Sequence, residues 1–392
     1  MTPKLWASYS QLTAHRKCPQ AWAYSFERRL EKDDPLDVKV ERDMGSWWHA
    51  LRAADAIVRG RKHDSLRKVP ELVKTVDHGP TFPTNQITVD QVLADSIVWW
   101  EQQTPLVQET WIEKLGGSTP QRLAELDDRW HDRWEDEIAT EQPLAVEMGW
   151  GRDLPKFPGP DGSVTDPNAR LVGYIDEVYL DTKRQIVVVR DNKTHKTLAA
   201  QTTADDMMDS QLQLYAWGAS PEITSWGIGQ IKATAYDRIR TVKAKTPSVT
   251  QAGTLSKSIT DFDLYTYAAW SLGDGRGVPY PGRKADGSGA GFYQPDAAVI
   301  EKLSTPAAIS AWYQRTLTPL NLNLIRVHLR AAVDSAADVA LSRARFAVTG
   351  EAARNLTERC RYCDFVRLCR TEMVGGISTD IELSDYYLRA KK

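Results

Sequence analysis

The stretch Leu171–Lys193, read as LVGYIDEVYLDTKRQIVVVRDNK, limits what this chain can fold into more than any other. Two runs rich in β-branched and aromatic residues, Leu171–Leu180 and Gln185–Arg190, flank the polar turn Asp181–Arg184. That pattern is a β-hairpin signature. Asp176 lies inside the first run, and Asp191 follows directly on the second. Lys193 stands two residues after Asp191, so in extended backbone both side chains leave the same face. Two carboxylates and an amine gathered at one end of a hairpin make a poor core. They make a good seat for a divalent cation next to a phosphate.

The chain has 392 residues, 42% of them hydrophobic and 26% charged, which supports one large or two ordinary domains with a real core. Its formal net charge of −2 means that any basic surface for nucleic acid must be concentrated locally. No run of about 18 apolar residues marks a membrane span, and the start MTPKLWASYSQL lacks the basic-then-apolar order of a signal peptide. A cytoplasmic protein without a membrane partner is expected.

Helices are expected over residues 8–30 (capped by Ser8 or Ser10 and broken near Cys18-Pro19), Asp43–Arg59, Val89–Gln103 and Pro120–Glu141. Pro143–Trp150 reads as a strand, Thr203–Gly218 as a helix and Trp226–Tyr236 as a strand. Strand, hairpin, helix, strand is the order of an α/β fold with a mixed sheet and a crossover helix. Gln294–Gly350 reads as helical, with a long amphipathic piece from Pro319. The glycine-rich Gly273–Gly291 is expected to be a flexible loop. No Gly-Lys-Ser/Thr follows it or occurs elsewhere, so the chain carries no ATP-driven motor. Four segments result: a helical region 1–142, a core 143–236, an insertion with helices 237–350 and a C-terminal segment 351–392.

All four cysteines fall into one set, Cys18 plus the Cys-x2-Cys-x5-Cys group Cys360, Cys363 and Cys369. In a reducing compartment such a group reads first as metal or cluster ligation. Four thiolates suit tetrahedral zinc, but a zinc ribbon normally uses two paired knuckles, whereas Cys18 stands alone far from the rest. An iron–sulfur cluster makes no such demand on spacing.

With these motifs in view, the chain resembles the RecB-like branch of the PD-(D/E)XK nuclease superfamily. It is most similar to the iron–sulfur members, AddB-type nuclease domains and CRISPR-associated RecB-like exonucleases, including stand-alone phage-encoded versions. The similarity is ordered along nearly the whole chain: SYSQL followed by Cys18-Pro19, GSWWHA with His49, VGYIDEV with Asp176, VVVRDNKT with Asp191 and Lys193, QLQLY with Gln211 and Tyr215, then the cysteine triplet. Asn192 departs from it, standing where an aromatic or apolar residue is more usual.

The resemblance implies a mixed sheet flanked by helices, with the N-terminal region and C-terminal segment joined through a [4Fe–4S] cluster on Cys18, Cys360, Cys363 and Cys369. It implies Mg²⁺ or Mn²⁺ held by Asp176, Asp191, the Asn192 carbonyl and His49, the imidazole favouring Mn²⁺. Lys193 would orient the attacking water or stabilise phosphate charge, with Gln211 and Tyr215, one helical turn apart, positioning Lys193 or a phosphate. Taken singly, each residue has a plainer reading: a solvated strand aspartate, a packed histidine beside Trp47 and Trp48, polar residues on a helix surface. Glu147 reads equally as a third acid or a surface pair, and His195 as a candidate base.

Arg16, Lys17, Arg28 and Arg29 flank the first cysteine, and Arg354, Arg359, Arg361, Arg367 and Arg370 the others. Where the cysteines meet, these would form a basic patch for DNA. The function expected is a metal-dependent exonuclease acting on single-stranded DNA or DNA ends. A non-catalytic DNA-end adaptor of a helicase or recombinase, and an endonuclease on the same fold, are the competing readings.

Overall fold

The computed structural model describes residues 4–32, 39–76, 79–158, 161–198, 203–245, 261–264, 267 and 296–388. The expected loop Gly273–Gly291 lies outside them. In chain order the elements that matter are β1 (Leu5–Ser8), α1 (Tyr9–Lys17), α2 (Lys39–Lys62), α3 (Val89–Glu101), α4 (Pro105–Leu115), α5 (Thr119–Ile138), β2 (Glu141–Asp153), β3 (Ala169–Asp181) and β4 (Ile186–His195). They are followed by α6 (Ser210–Ser225), β5 (Ile231–Arg240), β6 (Tyr313–Pro319), α7 (Leu322–Thr349) and α8 (Val366–Met373).

Local chemistry sets many of these boundaries. The Ser8 hydroxyl accepts from Gln11 N at 3.2 Å and starts α1, which stops before Pro19. The hairpin turn closes through Asp181 Oδ1, which accepts from Arg184 N at 2.8 Å. The helix expected over Thr203–Gly218 is instead two pieces, Thr203–Met208 and α6. Asp209 leaves helical backbone and its carboxylate caps Gln211 N at 2.8 Å, which restarts the chain in a new direction.

The sheet runs β1-β3-β4-β5-β6, with β2 paired to β3. β3 pairs antiparallel with β2 and β4, while β4 and β5 are parallel through the α6 crossover. This is the mixed α/β architecture expected. Two strands of this sheet lie outside the expected set. β1 adds parallel to β3, and β6 adds antiparallel to β5 inside a stretch expected to be helical. Tyr-Gln-Arg-Thr-Leu-Thr is strand-prone, but its place at the sheet's edge is set by partners that sequence periodicity does not reveal. The last core strand also begins at Ile231, not at Trp226, which caps the end of α6.

Helices cover both faces. One apolar cluster joins α1, α6 and α7 to the sheet through Leu12, Leu212, Ala216, Ile325 and Ala332. Another joins α2 to α3–α5 through Trp47, Trp48, Leu51, Trp111 and Trp130, and reaches the sheet at Val146 and Ile239. At ~25 cal/mol per Å² and ~200 Å² per indole, each of the buried tryptophans contributes on the order of 5 kcal/mol before entropy is counted. No helix among the described residues is long and apolar enough to cross a membrane.

Candidate active site

β3 presents Asp176 from a break in its own pairing. Its ladder to β1 ends at Ser8↔Val172, and its ladder to β4 begins at Glu177↔Arg190. Between those rungs β1 and β4 fork away from the same edge of β3. Asn192 N, on β4 beyond the fork, donates to Asp176 Oδ2 at 2.7 Å. On the other edge of β3, Glu147 sits between the rungs Val146↔Glu177 and Met148↔Ile175, opposite Asp176, with a left-handed φ of 46°. A non-glycine residue held there costs on the order of 1 kcal/mol or more, a strain typical of functional sites.

α2 supplies His49, whose Nδ1 lies 3.2 Å from Asp176 Oδ2. Donor atoms of His49, Glu147 and Asp176 all fall within 4.8 Å of one another. Strand alternation carries Asp191 and Lys193 to one side as expected, and Lys193 Nζ lies 2.7 Å from Asp191 Oδ2. The Asp191 side chain is 7% exposed and that of Lys193 36%, so the amine reaches solvent while the acid does not.

The charges are crowded. Burial, and then the Asp176 charge, push Glu147 up to about 8. The same two causes raise Asp191 to about 6 against the pull of Lys193. Burial also opposes ionisation of Asp176, but His49 and the Asn192 N–H outweigh it and hold this acid below its usual range. Burial would depress His49, yet Asp176, Glu147 and Asp191 lift it to about 9. Burial likewise opposes the Lys193 charge, and Asp191 more than compensates.

α6 leans on this group from the other layer. The Tyr215 ring packs edge-on to Trp150 at 5.3 Å, and burial, then Asp191, push its phenol up to about 12. Gln211 hydrogen-bonds that phenol, so the two residues act as one unit. Close approach depends on Gly173 and Gly218. A Cβ at Gly173 would stand 3.1 Å from both Tyr215 and Trp150, and one at Gly218 would overlap Trp150 at 2.0 Å. His195 stays outside the group. Burial, then Arg238 and Lys193, hold its imidazole below the usual value.

A family model of the PD-(D/E)XK nuclease superfamily matches residues 7–370. The chain belongs to that superfamily. No curated protein matches it. PD-(D/E)XK proteins are nucleases that act on DNA with divalent metals, and the donor set here fits such an ion. Carboxylates crowded enough to resist ionising are what a hard dication relieves. Sequence reasoning missed the weight of Glu147 because its approach to Asp176 depends on the register of β2 on β3 and on an unusual φ.

The cysteines of this PD-(D/E)XK chain come together from its two ends. Cys18, Cys360, Cys363 and Cys369 line one cavity of about 550 Å³ with Tyr24, Arg354 and Phe365. Among the described residues, no three of their sulfurs lie within 4.8 Å of one another. Burial pushes the Cys363 thiol up, so a thiolate there calls for a compensating cation. Hydrogen bonds join the segments that carry these cysteines. Gln20 N donates to Ala353 O at 2.9 Å, Ala352 N donates to Gln20 Oε1 at 2.7 Å, and the Tyr24 hydroxyl donates to Glu372.

The basic residues around the cavity divide into two groups. Arg28 pairs with Glu372 and Glu382, Arg367 with Asp385 at 2.8 Å, and Arg16 donates to Ser335 and Ala331 on α7. These are tied into the fold. Lys17, Arg359, Arg361 and Arg370 are exposed, with Arg361 lying 4.8 Å over the Tyr362 ring, and Arg29 is half-buried in a left-handed conformation (φ 58°).

Proposed function

We propose that this chain is a divalent-metal-dependent DNA exonuclease acting on single-stranded DNA or on ends with single-stranded character, and that it carries a structural [4Fe–4S] cluster. The observation that carries the nuclease reading is the convergence of His49, Glu147 and Asp176 beside the Asp191–Lys193 pair. The preference for free ends rests on the likeness of its motifs to RecB-like exonucleases.

Asp176, Asp191, Glu147 and His49 are the residues that would hold the ion, with the Asn192 carbonyl available as a further oxygen donor. When bound, a divalent cation there supplies Lewis acidity to the phosphate and lowers the pKa of a coordinated water. Lys193, cationic and partly exposed, orients the attacking water and stabilises phosphate charge. The imidazole among the donors favours Mn²⁺ over Mg²⁺. Gln211 and Tyr215 back the acidic pair and fix the wall behind the reacting phosphate. Lys17 and Arg361, both exposed, with Tyr362 as a stacking platform, are the residues best placed to take the strand. Arg16, Arg28 and Arg367 brace that surface.

The shared cavity of Cys18, Cys360, Cys363 and Cys369 supports a metal centre there, and the choice of [4Fe–4S] over zinc rests on the likeness of the cysteine spacing to the iron–sulfur members of the family. Closing the chain between residues 18 and 360 would stabilise the fold by on the order of several kcal/mol.

The test uses end-labelled single-stranded oligonucleotides and covalently closed circles with Mn²⁺ or Mg²⁺. Degradation of the oligonucleotide, survival of the circle and loss of activity in Asp191→Ala and Lys193→Ala are expected. Cutting of the circle would identify an endonuclease. Binding without cleavage would identify an end-binding adaptor. An iron count and visible absorbance on anaerobic protein decide the cluster separately, and one zinc in colourless protein would overturn it.

A further inference from the structure

Directly behind the acidic group lies a second set of charges that the hydrolytic site does not use. Arg190 is fully buried and reaches three strands at once: Glu177 on β3 at 3.0 Å, Glu141 on β2, and Asp237 on β5 at 3.4 Å. Arg315 on β6 bridges Asp237 at 2.6 Å and Glu141 at 3.1 Å. Arg59 on α2 reaches Glu177 at 3.3 Å and Asp55 at 2.9 Å. Arg190, Arg315 and Arg59 therefore face three strand carboxylates, Glu177, Glu141 and Asp237, with Asp55 on α2 as a fourth acid. Arg52, stacked at 4.6 Å and 4.0 Å between Trp48 and Trp130, extends the set to Asp127.

Buried ion pairs are weak contributors to stability, since apolar side chains of similar volume often serve as well. What they add is direction. Here the direction concerns the fork. Glu177↔Arg190 is the last rung of β3 on β4 before the strands part. Glu177 follows Asp176 in sequence, and Arg190 precedes Asp191. A slip or splay at that rung would move both acids. Arg59 ties the same glutamate to the helix that carries His49.

We infer that Glu177 and Arg190, tethered to α2 by Arg59, are positioning residues that fix the spacing of Asp176, Asp191 and His49 and so set the affinity for the divalent cation. This rests on the reading of that group as a cation seat. Neither residue touches the ion or substrate. Their effect passes through the main chain, one residue away on each strand.

Mn²⁺ binding, followed by the loss of the free-ion EPR signal, tests this in the wild type, Glu177→Gln, Arg59→Gln and Asp127→Asn, with the metal-free melting temperature of each. Glu177→Gln keeps shape and leaves Arg190 paired to Glu141 and Asp237. It is expected to weaken Mn²⁺ binding about 10–100-fold, as loss of an outer support does. Arg59→Gln breaks the α2 tether, together with the Arg59–Asp55 pair within α2, and should move affinity in the same direction, which carries the test if Glu177→Gln does not fold. Asp127→Asn loosens the same network away from the strands and should lower the melting temperature with Mn²⁺ affinity unchanged. Wild-type affinity in Glu177→Gln, or in Arg59→Gln where Glu177→Gln does not fold, overturns the inference, and so does an equal loss in Asp127→Asn at equal destabilisation. Failure of the wild type to bind Mn²⁺ would instead overturn the cation seat itself.

Discussion

Replacing Glu147 by glutamine is the sharpest test of the crowded acidic group, because it predicts opposite changes in stability and in metal binding. In the metal-free protein this carboxyl is raised from its ordinary 4.5 to about 8 by burial first and the Asp176 charge second. Between those values the folded chain holds a proton that the unfolded chain releases, so stability falls as pH rises. At 1.36 kcal/mol per pH unit the penalty grows from near zero at pH 4.5 to on the order of 3 kcal/mol at pH 7, and levels off near pH 8. Glutamine is neutral throughout and close in shape to the protonated acid. Metal-free Glu147→Gln should therefore melt higher than wild type at pH 7, by ~6 °C if about 1 kcal/mol moves a chain of this size by roughly 2 °C. The gap should be small at pH 5 and widen to pH 8. With Mn²⁺ the order should reverse, since the wild type gains RT ln(1 + [L]/Kd) and the variant has lost a donor. Differential scanning fluorimetry across pH 5–9 with and without Mn²⁺ measures all of this. A variant that melts lower at every pH, or whose Mn²⁺-induced shift equals that of wild type, would refute the reasoning.

Three further outcomes are expected. Gly218→Ala places a methyl 2.0 Å from Trp150, and should lower stability by about 1–3 kcal/mol in chemical denaturation and weaken nuclease activity through Tyr215, which packs on the same indole. Asp209→Ala removes both the cap on Gln211 N and the acceptor of the Tyr236 hydroxyl at 3.0 Å, and should cost about 1–2 kcal/mol in the same assay. Asp237 is held below its ordinary value by Arg315 and Arg190 despite complete burial, so its contribution is present above pH ~4 and lost as pH falls through its lowered value. Asp237→Asn should shrink acid-side unfolding and, by leaving Arg315 short of a partner, cost about 3–5 kcal/mol at pH 7.

The hairpin, its turn and the common side of Asp191 and Lys193 were legible because each depends on neighbours a few residues apart. Period-two alternation and an Asp-headed turn are local facts, and they survive into the fold unchanged. The start of α1 and its stop at Pro19 were legible for the same reason. β1 and β6 were not. Each is short, and each earns strand geometry from a partner more than 70 residues away, Ala169–Val172 for β1 and Ala233–Ile239 for β6.

Sequence by itself singled out the candidate residues: the hairpin acids and lysine, the histidine beside two tryptophans, and the single set of cysteines. Only the tertiary structure decided how they are held. It set Glu147 against Asp176 through strand register, opened the fork that bares Asp176, and buried Arg190 behind both acids. Composition and periodicity act over a turn or a strand, whereas charges meet in space, and which charges meet is fixed by how the sheet closes.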